Sequence, residues 1–218
     1  MNSGDIHKVI SILKKEVRHW KTPVVGVIAE ESRDPFPILI SCLLSLRTQD
    51  KTTAQASQRL FSLAKTPESM VKLSVKLIEQ AIYPVGFYRT KARRIKWLCQ
   101  DLIVRFDRKV PDSLDQLLTL KGVGRKTANL VITLGFGKPG ICVDTHVHRI
   151  SNRWGYVKTR RPDETERVLR STLPKKYWNI FNDLLVPYGQ NLCRPISPFC
   201  SICRIGPFCD RVGVEKSR

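Results

Sequence analysis

Apolar residues recur at intervals of three and four along most of the chain, as on the buried face of a helix. The longest such run contains Ala92, Ile95, Leu98, Leu102 and Phe106. Its exposed face is predicted to carry Lys91, Arg93, Arg94 and Lys96. No segment alternates apolar and polar residues convincingly enough to indicate a strand. The pattern therefore predicts an all-α protein.

Proline and capping residues set the boundaries of the other predicted helices. A first helix would be capped by Asp5 and end before Pro23, and a loop would follow to residue 35. The later predicted helices span 35–46, a stretch from residue 50, a short stretch after Thr66, 75–82, about 144–154, 162–173 and 174–188.

Two glycines separate a pair of short apolar segments, Leu114–Leu120 and Ala128–Leu134. Glycine permits positive φ and a close backbone approach, and the helix that follows exposes unpaired N–H groups at its start. Those groups can bind an anion, and Arg125 and Lys126 would add positive charge. The same pattern also fits a simple glycine connector between two helices.

The charge of the chain is unusual, since 38 lysines and arginines outnumber 19 acidic residues and leave a net charge of +19. Such an excess favours a polyanionic partner, either nucleic acid or an anionic membrane surface. The chain has no apolar run of membrane-spanning length and no signal-peptide core, so we expect an intracellular protein. In that reducing compartment, seven cysteines favour metal or cluster ligation over disulfides.

The cysteines fall into two groups. Cys42, Cys99 and Cys142 lie in apolar surroundings and are predicted to be buried. The other four form a C-x6-C-x2-C-x5-C pattern of Cys193, Cys200, Cys203 and Cys209. Zinc sites usually contain two C-x2-C pairs and this pattern has one, while thiolates also hold iron–sulfur clusters.

Three motifs follow one another in the chain: the glycine hairpin Leu120–Leu130, the sequence Val143-Asp144-Thr145-His146, and the four terminal cysteines. In their order and spacing the chain resembles the endonuclease III family of helix-hairpin-helix, iron–sulfur DNA glycosylases. The resemblance implies two helical domains flanking a DNA-binding groove. Residues 23–136 would form a helical barrel with the hairpin, and residues 1–22 with 137–218 a discontinuous domain in which the four cysteines hold a 4Fe-4S cluster.

The resemblance also assigns catalysis to Lys126 and Asp144. Lys126 matches the nucleophilic lysine of members that also cleave abasic sites, and the helix start and Arg125 would favour its neutral amine. Asp144 matches the catalytic aspartate, which could stabilise charge on the sugar or assist proton transfer. The residues by themselves also fit a phosphate-contacting or solvated lysine and a helix N-cap.

Two loops match the family's segments that fill the gap left by a flipped nucleotide, Leu46-Arg47-Thr48 and Gly86-Phe87-Tyr88. Arg47 stands where glutamine is usual, Phe87 where leucine is usual, and Lys121 replaces the usual proline of the hairpin. Phe87 could still wedge by stacking, while Arg47 leaves the opposite-base preference open. Both residues also fit plain surface or packing roles. Further DNA contacts are predicted at Lys121, Gly122, Gly124, Arg125 and His146.

The predicted function is that of a base-excision DNA glycosylase with abasic-site lyase activity, acting on oxidised pyrimidines such as thymine glycol. Two alternatives stay open: a mismatch-specific uracil or thymine glycosylase, and a non-catalytic helix-hairpin-helix module that grips phosphates. We expect the partner to be double-stranded DNA with damaged bases or abasic sites. A monomer without membrane association, cytoplasmic or nucleoid-associated, is expected.

Overall fold

The computed structural model describes residues 3–20 and 34–218, and these residues form helices and loops without a strand. The all-α prediction is confirmed. The predicted stop at Pro23 and most of the predicted loop before residue 35 lie outside the described residues.

Eleven α-helices lie in the described part of the chain. They are α1 Ile6–Glu16, α2 Pro35–Ser45, α3 Asp50–Leu63, α4 Pro67–Lys72, α5 Val75–Ile82, α6 Tyr88–Arg105, α7 Leu114–Leu118, α8 Arg125–Leu130, α9 Thr145–Arg153, α10 Pro162–Thr172 and α11 Trp178–Asn191. A π-helix, Val131–Gly135, continues α8. Short 3-10 turns occur at Ser3–Asp5, Val17–His19, Lys175–Tyr177 and Gly206–Phe208.

The chain divides into two compact units. The central unit is Pro23–Lys138, and the terminal unit combines Met1–Thr22 with Pro139–Arg218. The predicted boundary after residue 136 lies two residues before this division. The assignment of the two segments to separate folding domains stays a prediction.

Helix α2 is the centre of the hydrophobic core of the central unit. Asp34 caps it by accepting a hydrogen bond from the Phe36 amide at 2.9 Å, and Pro35 supplies the first helical residue. Apolar side chains occupy nearly every side of the helix, and its buried residues are Phe36, Ile38, Leu39, Ile40, Ser41, Cys42, Leu43 and Leu44. A helix that is apolar all round must be enclosed, and α3, α6, α8 and the π-helix pack around it.

The terminal unit has its own core between α1, α9 and α11. Helix α1 contributes Val9, Ile10 and Leu13 from one face, as its spacing predicts. The indole of Trp154 meets the ring of Phe181 edge-on, with the centroids 6.5 Å apart. This core places the start of α9, and therefore Asp144, on a rigid support.

Three local predictions were wrong. Asp5 already has helical backbone in the 3-10 turn before α1, so its side chain does not cap that helix. Helix α11 continues to Asn191 with Pro187 inside it, because burial of its apolar face outweighs the lost amide. Lys91 lies in the interior, with 6 % of its surface exposed, and not on the exposed face of α6.

Within residues 3–20 and 34–218, no helix combines the length and apolar composition that a bilayer crossing requires.

Replacing Leu39 with alanine should destabilise the protein by about 2–5 kcal/mol, because its side chain is fully buried in α2 and leaves a cavity. Urea denaturation would measure the change. Val104 on α6 is 81 % exposed, so Val104→Ala should alter the free energy of unfolding by less than about 0.5 kcal/mol. Equal losses in both variants would contradict the central position of α2.

Candidate functional site

The glycine hairpin has the predicted helix–turn–helix form, with α7 before the turn and α8 after it. Gly122 has φ +91°, in the left-handed region that favours glycine, and an added Cβ would lie 3.3 Å from Cδ of Arg94. Gly124 is extended and precedes α8 directly. By helix geometry, the first-turn amides of α8 have no acceptor within the helix.

Lys126 is the second residue of α8 and is half-buried. Its side chain has no hydrogen bond or ion pair with the described residues. The thiol of Cys42, in the core of the same unit, lies within its electrostatic reach. Burial raises the pKa of this thiol to about 12 and the charge of Lys126 opposes the rise, so Cys42 stays neutral. The Lys126 amine is therefore uncommitted, while its catalytic role stays a prediction.

Asp144 is the N-cap of α9. Its Oδ1 accepts hydrogen bonds from the amides of His146 at 2.9 Å and Val147 at 2.8 Å. The capping interpretation is thus confirmed. Both bonds use one carboxylate oxygen, and Oδ2 makes no hydrogen bond to the described part of the chain. One side chain can therefore cap the helix and still present an oxygen to a ligand.

His146 follows Asp144 and rests against α11. A Cβ on Gly189 would clash with the imidazole, so glycine is needed at that position. Arg149 Nη2 donates to His146 Nδ1 at 3.2 Å and to the carbonyl of Cys193 at 2.9 Å. His146 is therefore fixed within the terminal unit, and its predicted contact with DNA stays a prediction.

The two predicted wedge loops lie side by side in the central unit. The Gly86 amide donates to Thr48 Oγ1 at 3.1 Å, and Cζ of Arg47 lies 4.8 Å from the centroid of the Phe87 ring. Phe87 is 60 % exposed, and Arg47 is exposed as well. Sequence reasoning treated these residues separately, whereas the structure stacks them together.

Lys121 and Arg125 frame the turn of the hairpin. Lys121 is exposed, and its Nζ lies 4.3 Å from the centroid of the Trp97 ring. Trp97 is itself 45 % exposed, so a cation and an aromatic surface are offered together. Arg125 is half-buried at the start of α8. Their contacts with DNA stay predictions.

Lys91 is the residue that sequence reasoning missed. Its ammonium donates to the carbonyls of Leu44 at 2.8 Å and Leu46 at 2.6 Å, and to Thr48 Oγ1 at 3.2 Å. The spacing carried the signal, because Lys91 lies four residues before Ile95 and seven before Leu98, both on the buried face. The charge of lysine favours an exposed position, so the sequence analysis placed Lys91 on the exposed face.

The four terminal cysteines all line one cavity. Arg153 Nη1 donates to Cys193 Sγ at 3.3 Å, the amide of Arg211 donates to Cys209 Sγ at 3.4 Å, and the hydroxyl of Tyr188 lies 3.0 Å from Cys203 Sγ. In the described ranges no three His, Cys, Asp or Glu side chains are grouped as ligands of a single metal ion.

The charge around this cavity supports an anionic occupant. The guanidinium of Arg153 is buried, and that of Arg149 is half-buried. The Asp144 carboxylate and the Cys193 thiol are the favourable charges near Arg149, and the Nε of each guanidinium is buried without a hydrogen bond among the described residues. Buried cations need negative partners, and four thiolates around an iron–sulfur cluster would supply them. The residues present fit such a group.

The remaining cysteines, and two polar residues of the terminal unit, have structural contacts. Cys42, Cys99 and Cys142 are buried, with exposures of 1 %, 0 % and 3 %, which confirms the prediction for all three. Arg204, which follows Cys203 directly, forms an ion pair with Glu16, with Nε and Oε1 3.3 Å apart. His148 bonds Thr165 Oγ1 at 2.7 Å and is a structural residue of the terminal unit.

Comparison with known proteins gives consistent matches. Residues 40–175 match the model of the HhH-GPD superfamily base excision DNA repair proteins. Endonuclease III of Thermotoga maritima is 46 % identical over 81 % of this chain and 83 % of its own length. Endonuclease III homolog 1, chloroplastic, of Arabidopsis thaliana is 41 % identical over 84 % of this chain, which spans about half (50 %) of that relative.

Solved structures extend these matches to the fold. A trapped endonuclease III–DNA covalent intermediate with an estranged adenine aligns with a TM-score of 0.86 at 33 % identity, over 97 % of both chains. A thermostable thymine-DNA glycosylase aligns at 0.82 with 25 % identity, over 93 % of this chain and 94 % of its own.

Family model, relatives and fold agree with the hairpin and cysteine pattern of the chain. The protein therefore belongs to the endonuclease III family of the HhH-GPD superfamily, a family of two-domain helical base-excision repair enzymes that act as DNA glycosylases and abasic-site lyases.

Proposed function

We propose that this chain removes oxidised pyrimidines, such as thymine glycol, from duplex DNA and cleaves the resulting abasic site through Lys126. The observation that carries this proposal is the Lys126 amine, which follows the hairpin directly and has no bond to the described residues. A phosphate-binding module would need only its charge. A nucleophile needs an amine that no neighbouring group holds.

The mechanism begins with attack of the neutral Lys126 amine on C1′ of a flipped nucleotide. The C1′–N bond to the base breaks, and the base leaves with the bonding electrons and takes up a proton. Ring opening yields an imine between Nζ and C1′. Loss of a C2′ proton then expels the 3′ phosphate by β-elimination, and water releases the enzyme. Asp144 stabilises the positive charge that develops on the sugar in the first step.

We infer that Cys193, Cys200, Cys203 and Cys209 hold a 4Fe-4S cluster in the cavity that they line. The bound cluster would act as a structural staple and as negative charge. Arg149 and Arg153 offset that charge from α9. The segment around these cysteines contains only a short 3-10 turn, Gly206–Phe208, so it gains most of its order from ligation.

DNA binding is proposed for the hairpin and the wedge loops. The net charge of +19 supplies the long-range attraction, and the amides near Gly122 and Gly124, with Lys121 and Arg125, contact phosphates. Arg47 and Phe87 fill the gap opened in the duplex. Solved endonuclease III–DNA complexes of the same fold support this placement. We further propose that the protein acts as a monomer on intracellular, nucleoid DNA.

A second substrate class has a specific observation in its favour. The similarity to a thymine-DNA glycosylase supports removal of thymine or uracil opposite guanine on the same scaffold. Arg47 in place of glutamine changes the group that faces the unpaired base, which is where such a preference would arise.

Borohydride should trap wild-type protein covalently on duplexes that contain thymine glycol, and Lys126→Gln should abolish the adduct because the attacking amine is gone. Lys76→Gln is the control, since Lys76 is an exposed lysine on α5, outside the hairpin and the wedge loops, and should leave trapping intact. Base release without an adduct would make the enzyme monofunctional. Neither product on any duplex, including uracil or thymine opposite guanine, would favour the binding module.

Asp144→Asn should reduce base excision by roughly 10²–10⁴-fold while the protein keeps its stability, because asparagine still caps a helix but carries no charge. Single-turnover base release and thermal unfolding would be measured together. Asp144→Ala is the companion variant, and its free energy of unfolding should fall by about 1 kcal/mol because the helix cap is removed. Retained excision by a stably folded Asp144→Asn protein would leave Asp144 with the capping role alone.

Cys203→Ser should lower the iron and acid-labile sulfide content of the purified protein, since it removes one of four thiolate ligands. Cys99→Ala is the control: Cys99 is buried in the central unit, and its loss should leave the iron content unchanged. Zinc in place of iron and sulfide in the wild-type protein would overturn the cluster assignment.

A further inference from the structure

Lys91 closes the carboxyl end of α2. An ammonium has three N–H donors and no acceptor, and Lys91 uses all three donors, on the carbonyls of Leu44 and Leu46 and on Thr48 Oγ1. The two carbonyls belong to the last turn and the C-cap of α2, where acceptors lack helical partners. Burial, together with nearby Arg94, lowers the pKa of Lys91 to about 8, so the ammonium is still the main form at neutral pH.

Thr48 joins this site to the second loop. Its hydroxyl oxygen accepts from the Lys91 ammonium at 3.2 Å and from the Gly86 amide at 3.1 Å. The two loops also touch through their backbones, because a Cβ on Gly86 would lie 2.6 Å from the carbonyl oxygen of Arg47. A single lysine on α6 therefore holds the first loop against the segment that leads into its own helix.

The residues at the tip of these loops have unfavourable backbone conformations. Arg47 has φ +56° and Phe87 has φ +59°, both left-handed and neither a glycine. Such conformations persist when the surroundings fix them, and they concentrate at functional sites. Here they bring the guanidinium of Arg47 to 4.8 Å from the Phe87 ring centroid on an exposed surface.

We propose that Lys91 is a positioning residue that holds loops 46–48 and 86–88 as one preassembled wedge, with Arg47 stacked on Phe87. This inference rests on the proposed function, in which the wedge fills the duplex when a nucleotide is flipped. A preassembled wedge loses little conformational entropy when DNA binds. Loss of the three Lys91 hydrogen bonds would therefore weaken cleavage of duplex DNA. The reaction at Lys126 would be unchanged, since Lys91 contacts neither it nor the sugar in the proposed mechanism.

Lys91→Met tests this inference because methionine keeps much of the side-chain length but has no donors. Abasic-site cleavage would be compared on duplex and on single-stranded DNA, where no opposite strand leaves a gap. We expect about a tenfold or greater loss on the duplex, mainly through KM, and unchanged cleavage of the single strand. A general loss of folded protein would instead reduce both rates equally.

Two further variants sharpen the comparison. Lys96→Met is the matched control, because Lys96 also lies on α6 and donates to a carbonyl, that of Leu73 at 2.8 Å, away from the wedge. It should keep the wild-type ratio of duplex to single-strand cleavage. Thr48→Val removes the shared hydroxyl without removing a charge and should lower that ratio in the same direction as Lys91→Met. If Lys91→Met does not fold, Thr48→Val decides.

A binding measurement gives a readout that does not depend on catalysis. The fluorescence of 2-aminopurine opposite an abasic-site analogue should rise when the wedge displaces it from the stack, and the rise should be smaller for Lys91→Met. Wild-type ratios and fluorescence in both Lys91→Met and Thr48→Val would overturn the inference. Absence of abasic-site cleavage by the wild-type protein would instead overturn the proposed function, and this inference with it.

Discussion

Enclosure of one apolar helix organises the central unit. Helix α2 is buried on nearly every side, so α3, α6, α8 and the π-helix have to pack around it. Cys42, in the middle of α2, lies within electrostatic reach of Lys126. The carbonyls at the carboxyl end of α2 accept hydrogen bonds from the Lys91 ammonium. The hairpin and the wedge loops are therefore both positioned by contacts with the same buried helix. The geometry of the candidate site depends on hydrophobic burial before it depends on any charged group.

In the terminal unit, the balance of charges along α9 shapes the candidate site. Helix α9 presents Asp144 at its start and Arg149 and Arg153 further along, so one helix carries both the predicted catalytic carboxylate and the cations near the cysteine cavity. The two guanidinium groups donate hydrogen bonds to carbonyl and thiol acceptors, and the Asp144 carboxylate is a favourable charge for Arg149. The proposed iron–sulfur cluster would add negative charge beside these cations and would hold in place a segment that has little apolar core.

Two of the three positions at which the resemblance marks a departure from the family pattern, 47 and 87, form one physical unit. Arginine at 47 and phenylalanine at 87 are a cation and an aromatic ring, and the structure stacks them. Glutamine and leucine at these positions would have no such attraction. Lys121, the third departure, lies over the ring of Trp97 in the same way. The chain thus combines positive charge with aromatic surface at two exposed places in the central unit.

The sequence by itself determined the helices, the glycine hairpin, the burial of Cys42, Cys99 and Cys142, and the family, because apolar spacing, turns and motif order are local signals. Only the tertiary structure decided that Lys91 is buried and that Arg47 meets Phe87. Each of these facts joins residues that are distant along the chain or overrides a surface preference of a charged side chain. The spacing of Lys91 only indicates a buried position. Packing around α2 provides the free energy that buries this charged side chain and brings the two loops together, and that packing depends on contacts between distant parts of the chain.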